Sequence, residues 1–426
     1  MAILIRNGRV IDPGTKTEKE ADVLIEDGRI KAIDTKLEKK ADEVIDAKGC
    51  FVMPGFIDLH VHLRDPGFEY KETVETGARA AARGGYTTIL AMPNTKPVVD
   101  NGDVVRYVHN KAADVGLANV LQVGAVTKGQ HGQELADIED MVEAGSPAIS
   151  EDGKSVMNSQ LYREAMMLAV KYDIPVLAHC EDINLVHGGV MNEDESAARL
   201  GMPGITNAVE DVIVARDILL AKETGARLHL CHCSTKDSVK MVACAKEQGL
   251  PVTAEVCPHH FALTSEDIRE DDANYKMNPP LRTREDVDAL IQGLKEDVMD
   301  VIATDHAPHS REEKGGSMKK APFGIVGLET AAALTMTELV DKGYLTPMQM
   351  AEKMSCNPAK VIGLDRGTLE VGTVADVVIF DPREEYVIRA EEFHSRSRNT
   401  PFDGKRVKGR VKATILAGKI VYRYEA

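Results

Sequence analysis

The 426-residue sequence has no apolar run approaching the 18 residues that would indicate a membrane-spanning helix. Its first residues lead directly into a pattern of short strands and turns, so we expect neither a signal peptide nor a membrane span. The formal net charge is −16, which argues against a nucleic-acid partner because phosphates require a basic face. An acidic chain can still bind an anionic metabolite where metal ions and a few arginines make the pocket locally positive.

The sequence also lacks a cysteine framework. Its seven cysteines are an odd number at irregular spacings without a Cys-x-x-Cys pair, which is typical of a reducing cytoplasm. Cys231-His232-Cys233 resembles a zinc motif, but on a strand His232 would face one side and both cysteines the other. We therefore predict a cytoplasmic protein in which Cys231 and Cys233 are small buried hydrophobic residues.

The two ends of the chain are rich in short strands separated by turns. Strand-like segments occur at residues 2–5, 9–11, 21–25, 29–33, 372–382, 410–416 and 420–422. A hairpin at either end would lack a core of its own. We therefore predict one small β-sandwich domain built from both termini, with the bounds 1–54 and 366–426.

The middle of the chain alternates short apolar runs with amphipathic segments. We expect strands at residues 55–62, 87–94, 120–127, 148–152, 174–179, 227–232, 251–258 and 298–305. Each run is continuously apolar, as parallel strands buried on both faces are. The pattern predicts an α/β fold, a (β/α)8 TIM-type barrel over residues 55–365. A doubly wound open sheet is the alternative, but it would not explain where the polar residues fall.

Polar side chains follow these runs at their C-terminal ends, where barrel enzymes place their sites. His60 and His62 end the first run and, being two apart on a strand, present two imidazoles on the same face. Neutral imidazoles suit a borderline-soft divalent metal such as zinc. The other runs end in Asn94, Asp152, His179, His232 and Asp305. Four histidines and two carboxylates at one rim match the ligand count for two zinc ions that share a bridging group.

Each of the later residues has an ordinary interpretation when it is taken alone. Asp152 fits a simple turn, and His179 fits a hydrogen-bonded core histidine. His232 precedes a plausible helix N-cap, and Asp305 could cap a turn before Pro308. Their joint position at strand ends favours the metal centre.

The remaining histidines receive different predictions. His229 has the opposite strand parity to His232, so we expect it to face the surrounding helices. His259 and His260 could line the pocket without binding metal, and His306 could orient a loop or a ligand. His309 opens a polar, glycine-containing stretch, 310–322, that indicates a mobile lid, although a plain surface loop fits the composition nearly as well.

Taken in order, these motifs closely resemble those of the bacterial type I dihydroorotases, which belong to the cyclic amidohydrolase superfamily of metal-dependent hydrolases. The resemblance spans nearly the whole chain. His-Leu-Arg-Asp-Pro-Gly at 62–67 and Asn-Pro-Pro-Leu-Arg at 278–282 are specific to this branch, whereas His-x-His indicates only the superfamily. The other matching segments are 58–61, 92–95, 151–153, 178–181, 232–236 and 304–309.

The resemblance implies two Zn²⁺ ions per chain, bridged by Asp152 and a hydroxide. His60, His62, Asp152 and Asp305 would bind one ion. Asp152, His179 and His232 would bind the other. The family usually has Asp-Asp-Gly where this chain has 151–153, which leaves Glu151 as an alternative bridge. Hydantoinases use a carboxylated lysine here, but Lys154 lies past the Gly153 turn and is not assigned that role.

The resemblance also implies the substrate contacts His62, Arg64, Asn94, Asn278, His309, Phe323 and Gly324. The residue types agree for Arg64, because a fixed guanidinium fork suits a carboxylate. They also agree for Asn278, whose amide can both donate to and accept from a ureide ring.

The implied function is that of a dihydroorotase, which reversibly cyclises N-carbamoyl-L-aspartate to L-dihydroorotate in pyrimidine (UMP) biosynthesis. Asp305 would act as general base and acid beside a zinc-activated hydroxide. The alternatives are another cyclic amidohydrolase, an allantoinase or dihydropyrimidinase, and a non-catalytic partner of aspartate carbamoyltransferase. We expect a homodimer that can associate with that carbamoyltransferase and that binds neither nucleic acid nor membranes.

Overall fold

The computed structural model describes residues 2–425, and its centre is a closed barrel of parallel strands. The first three strands form one parallel sheet, and the remaining strands form a second parallel sheet. A parallel bridge between Val61 and His306 joins the first strand to the chain beyond the last. The strands are Phe56–Val61, Tyr86–Ala91, Asn119–Gln122 continued by Gly124–Ala125, Ile149–Ser150, Val176–Ala178, Leu228–Leu230, Val252–Val256 and Val301–Ile302. The fold is therefore the predicted (β/α)8 barrel.

The barrel strands form where the apolar runs were predicted, because both of their faces are covered. Phe56–Val61 and Tyr86–Ala91 are buried at every position. The regular pairing ends earlier than the runs do. His232 and Asp305 have left-handed backbones, with φ of 34° and 48°. These turns end the strands and redirect the polar side chains that follow them.

Helices surround the barrel. In the first of them, Val74–Gly84, Thr73 and Thr76 form a capping box and Gly85 ends the helix at φ 90°. The other α-helices are Gly102–Val115, Ile138–Glu143, Ser159–Lys171, Glu195–Leu200, Ala208–Thr224, Lys236–Glu247, Pro258–Ala262, Arg284–Lys295, Arg311–Lys314, Ala331–Thr335, Pro347–Ala351 and Asn357–Val361. Met336–Val340 and Glu352–Cys356 are π-helical, and Lys128–Gln130, Ser265–Asp267, Ala273–Tyr275 and Ala390–Glu392 are 3₁₀ turns. Across the described residues, no helix combines the length and the apolar character needed to span a membrane.

Both ends of the chain contribute to one further sheet. Phe51–Pro54 from the N-terminal part pairs antiparallel with Val377–Val387 from the C-terminal part. The strand order is Lys419–Arg423, Arg406–Leu416, Val377–Val387, Phe51–Pro54, Ala2–Asp12, Thr17–Glu26 and Arg29–Asp34, with Glu43–Asp46 also on Ala2–Asp12. The predicted division of the chain into a small domain, residues 1–54 plus 366–426, and a barrel domain, residues 55–365, stays a proposal. Its end residues Met1 and Ala426 lie outside the described residues.

Candidate active site

The structure brings the six predicted metal ligands together at the C-terminal rim of the barrel. His60 Nε2 lies 3.0 Å from Asp152 Oδ1, and His62 Nε2 lies 3.2 Å from Asp305 Oδ1. His179 Nδ1 lies 3.0 Å from His232 Nε2. All six residues are buried.

Asp152 occupies the centre of this cluster. Its Oδ1 is 3.5 Å from His179 Nδ1 and 3.7 Å from His232 Nε2, in addition to its contact with His60. Its Oδ2 is 3.4 Å from His62 Nε2. One carboxylate therefore faces all four imidazoles, which is the geometry that a bridging ligand requires.

Glu151, the alternative to Asp152, points away from the cluster. Its carboxylate accepts hydrogen bonds from the backbone N–H groups of Val126 and Thr127, at 3.1 and 3.0 Å, and from the Thr127 hydroxyl. Lys154 also points elsewhere, because its Nζ donates to the carbonyl of Gln130 at 2.9 Å. The geometry thus favours Asp152 as the bridge.

The donor atoms of the cluster fit a divalent metal. Nε2 of His60 and Oδ1 of Asp152, which face each other in the cluster, are buried without a well-aligned hydrogen-bond partner. Leaving such an atom unpaired costs about 1–3 kcal/mol, which a bound cation would offset. Two groups, His60–His62–Asp305 and His60–Asp152–His232, have ligand atoms within 4.8 Å of one another. Nitrogen and carboxylate oxygen are ligands that zinc accepts.

The electrostatics of the cluster match this donor set. Burial would raise the pKa of Asp152, but the neighbouring imidazoles lower it well below its usual range. Burial would lower the pKa of His179, but hydrogen bonds to Asp152 and Glu181 raise it to about 10. In the metal-free protein, protons on the imidazoles therefore balance the negative charge of the carboxylates. A bound metal ion would displace these protons.

A cavity of about 220 Å³ opens directly beside the cluster. His62, Asp152, His179, His232 and Asp305 line it. Its other walls include the remaining predicted substrate residues, Arg64, Asn94, Asn278, His309, Phe323 and Gly324. Asn94 also contacts the cluster, since its Oδ1 accepts from His62 Nδ1 at 2.8 Å and its Nδ2 donates to Asp152 at 3.4 Å.

One end of the cavity carries positive charge. Arg64 Nε donates to the Pro308 carbonyl at 3.2 Å, and its Nη2 lies 3.3 Å from His309 Nε2. His309 Nε2 donates to the Phe323 carbonyl at 2.8 Å, and Lys71 Nζ donates to its Nδ1 at 3.4 Å. Burial and the charges of Arg64 and Lys71 lower the pKa of His309 far below its usual value, so its ring is neutral. The arrangement suits an anionic group of a ligand.

Comparisons with known proteins agree with this site. The dihydro-orotase-like family matches residues 49–238, and the amidohydrolase family matches residues 322–422. The chain is 50% identical over 422 residues to a dihydroorotase of Pelotomaculum thermopropionicum, covering 99% of this chain and 98% of that protein. It is 48% identical over 421 residues to a dihydroorotase of Acetivibrio thermocellus, covering 99% of each. The chain belongs to the dihydroorotase family.

Solved structures extend this relationship to other cyclic amidohydrolases. An L-hydantoinase (dihydropyrimidinase) from Arthrobacter aurescens has a TM-score of 0.89 at 28% identity, covering 100% of this chain and 96% of that one. A dihydropyrimidinase from Brevibacillus agri has a TM-score of 0.84 at 26% identity, covering 99% and 95%. The dihydroorotase fold of this chain is therefore shared with hydantoinases and dihydropyrimidinases.

The prediction for His229 was wrong. His229 Nε2 donates to Glu255 Oε2 at 3.0 Å, and its Nδ1 lies 2.8 Å from Thr253 Oγ1. Glu255 in turn places Oε1 3.3 Å from His60 Nδ1 and accepts from the backbone N–H of His232 at 3.1 Å. The prediction assumed that side chains alternate between the two faces from His229 to His232, but the regular strand ends at Leu230. His229 therefore lies behind the candidate metal ligands and contacts Glu255, which in turn lies beside His60.

Other sequence expectations have mixed outcomes. Cys231 and Cys233 are buried, as predicted. His306 orients its surroundings, because Nε2 donates to Glu72 at 3.1 Å and Nδ1 accepts from the Gly327 backbone at 3.1 Å. His259 and His260 are buried but are not among the residues lining the cavity.

The segment 310–322, predicted as a lid, is tied to the dihydroorotase site by two buried lysines. Lys314 Nζ donates to the carbonyls of Lys276 and Pro322, at 3.1 and 3.0 Å. Lys276 Nζ donates to those of Met318 and Ala321, both at 2.6 Å. These bonds connect the segment to the loop that carries Lys276 and Asn278. Its mobility stays a prediction.

Proposed function

We propose that this member of the dihydroorotase family catalyses the reversible cyclisation of N-carbamoyl-L-aspartate to L-dihydroorotate and water in de novo pyrimidine biosynthesis. The observation that carries the proposal is the cavity between two different surfaces. One is the cluster of four histidines and two carboxylates. The other is the pair of half-buried Arg64 and buried His309, whose spacing from the cluster provides a place for the free carboxylate of the substrate.

We propose that His60, His62, Asp152 and Asp305 hold one Zn²⁺ and that Asp152, His179 and His232 hold a second. Bound zinc supplies Lewis acidity and lowers the pKa of water toward ~7. The unpartnered buried Nε2 of His60 and Oδ1 of Asp152 support this assignment.

Asp305 is the proposed proton carrier. Burial would raise its pKa, but the contact with His62 and the nearby imidazoles lower it, so the carboxylate is ionised and can accept a proton. In the hydrolytic direction Asp305 takes a proton from the attacking water and passes it to the leaving ring nitrogen. In the direction of ring closure the same carboxylate takes the proton from the attacking nitrogen and gives it to the departing hydroxide, which leaves as water.

The other cavity residues bind and orient the substrate. Arg64, Asn94 and His309 hold the carboxylate, while Asn278 contacts the ureide ring, and this orientation contributes to the rate. The backbone at Phe323–Gly324 completes the wall. Gly324 has φ 129°, and a Cβ there would lie 2.6 Å from Ala307 Cβ and 3.2 Å from His309 Nε2. Glycine therefore allows the close approach that places His309.

The likeness to hydantoinases and dihydropyrimidinases favours those activities, or that of an allantoinase, as the second candidate. Their ring substrates lack the carboxylate that Arg64 suits, and the full-length identity of 50% is to a dihydroorotase. A non-catalytic partner of aspartate carbamoyltransferase would not need a complete ligand set. Both considerations support the dihydroorotase assignment.

We also propose, from the family likeness, a cytoplasmic homodimer that can associate with aspartate carbamoyltransferase. The seven free thiols suit a reducing compartment. Light scattering of the purified protein, alone and with the carbamoyltransferase, tests both assemblies. A monomeric mass, or unchanged masses on mixing, would contradict the corresponding proposal.

A substrate comparison tests the activity. We expect wild-type protein to convert L-dihydroorotate with a much higher kcat/KM than hydantoin or dihydrouracil. Arg64→Lys should chiefly raise KM for dihydroorotate, by roughly 10- to 100-fold, because a point charge replaces a bidentate fork. It should leave any dihydrouracil turnover unchanged. Faster turnover of dihydrouracil or hydantoin by the wild type would contradict the proposal.

A further inference from the structure

Glu181 lies two residues after the metal-ligand candidate His179, in the loop that follows the barrel strand Val176–Ala178. Ser155 fixes this loop. Its hydroxyl donates to the His179 carbonyl at 2.8 Å and accepts from the Glu181 backbone N–H at 3.2 Å. The next backbone N–H, of Asp182, donates to the Val209 carbonyl at 2.8 Å. The positions of His179 and Glu181 are thus set together by the backbone.

The two ring nitrogens of His179 have different neighbours. Nε2 lies 2.7 Å from Glu181 Oε2, while Nδ1 lies 3.0 Å from His232 Nε2 and 3.5 Å from Asp152 Oδ1. A neutral imidazole carries one proton, and a carboxylate at Nε2 is the strongest acceptor for it. Nδ1 is then left as a lone pair directed at the centre of the cluster.

The carboxylate of Glu181 is well placed for this contact. Its side chain is only 12% exposed, and it approaches His179 on the nitrogen opposite to Asp152. It is therefore not part of the proposed ligand set itself. Outer carboxylates of this kind fix the tautomer and orientation of metal-binding histidines in proteins generally.

We propose that Glu181 is a positioning residue that directs Nδ1 of His179 toward the second metal site. This inference rests on the proposed function.

The variants Glu181→Ala and Glu181→Gln test this role. Alanine removes the acceptor of the Nε2 proton, so the second zinc should bind about 10- to 100-fold more weakly, measured by chelator competition with metal-stripped protein. Glutamine keeps one acceptor oxygen for His179 Nε2, so we expect Glu181→Gln to bind zinc nearly as tightly as the wild type.

Asp182→Asn is the matched control, because Asp182 caps the same loop through the backbone N–H groups of Asn184 and Leu185 without touching the cluster. It should bind both zinc ions like the wild type. Nitrogen NMR of histidine-labelled, zinc-loaded wild-type protein should show His179 protonated at Nε2 and not at Nδ1. This spectrum tests the tautomer even where Glu181→Ala does not fold.

Wild-type zinc affinity in Glu181→Ala, equal weakening in Asp182→Asn, or a proton on Nδ1 of His179 in the zinc-loaded protein would each overturn the inference. The zinc and NMR measurements do not depend on turnover. If the wild type fails to convert dihydroorotate while Glu181→Ala loses zinc, the proposed function falls and the positioning of His179 stands. If the wild type converts dihydroorotate and Glu181→Ala binds zinc normally, the proposed function stands and the positioning of His179 by Glu181 falls.

Discussion

At the scale of single residues, the site depends on side chains that carry a charge while buried. Asp305 is 6% exposed, yet it is held ionised by His62 and the neighbouring imidazoles. Lys71, Glu181 and Glu255 belong to the same network, and none of them was identified from the sequence. Lys71 reaches His309 across 238 positions of the chain. Only the fold brings such residues together, and no local spacing marks them.

Replacing Asp305 tests its role as proton carrier. Asp305→Asn keeps the shape of the side chain but cannot accept a proton, so kcat for dihydroorotate should fall by about 10²- to 10⁴-fold. Zinc content is measured on the same sample, because Asp305 is also a proposed ligand. Asp288→Asn, at an exposed carboxylate of the helix Arg284–Lys295, is the control. A kcat near that of the wild type would rule out the proposed role.

At the scale of elements, the sequence predicted the barrel well and the strand ends less well. Continuous apolar runs marked the strands, because parallel strands in a barrel are covered on both faces. The candidate site residues were selected because they follow these runs. The parity argument around His232 failed because its left-handed backbone, with φ 34°, interrupts the alternation of side chains. Backbone reversals of this kind are set by packing against neighbouring strands.

Lys314, at the end of the short helix Arg311–Lys314, should make the free energy of unfolding depend on pH. Burial, together with the charge of nearby Lys276, lowers the pKa of Lys314 to about 7. A neutral amine still has two N–H groups for the carbonyls of Lys276 and Pro322. Between pH 7 and about 10.4, the usual pKa of lysine, the unfolded chain binds a proton that folded Lys314 has lost. Stability contributed by this group should therefore rise with pH.

Lys314→Met should remove this dependence. The difference in free energy of unfolding between wild type and variant should change by up to about 1.4 kcal/mol per pH unit across that window, in favour of the wild type at higher pH. Chemical denaturation at a series of pH values measures it. Lys320→Met, at an exposed lysine of the same segment, should show a constant difference. A constant difference for Lys314→Met as well would contradict the assignment.

At the scale of the whole molecule, the sheet formed by both chain ends is joined to the barrel. Val378, Phe380 and Val411 from that sheet belong to the same buried hydrophobic cluster as Phe56 and Tyr86 of the barrel. The sequence predicted that the two ends share a sheet, since neither could form a core alone. It could not predict which side chains join the sheet to the barrel.

This shared core predicts that the molecule unfolds as one unit. Phe380 is fully buried, so Phe380→Ala should lower the free energy of unfolding by about 3–5 kcal/mol. Calorimetry should show a single transition at lower temperature, and kcat should be unchanged. Val371→Ala, at a side chain that is 59% exposed, should have little effect. Two separate transitions, or a loss of activity without a loss of stability, would show that the parts behave differently.

The account as a whole stands on a two-metal dihydroorotase site, and a zinc titration tests it most directly. Metal-stripped protein is titrated with zinc while the absorbance of L-dihydroorotate is followed at each addition. We predict negligible turnover without metal and a break at about two zinc ions per chain, as a two-metal site requires. Full turnover of dihydroorotate without metal, a break at one zinc ion, or two bound ions without turnover would contradict the account.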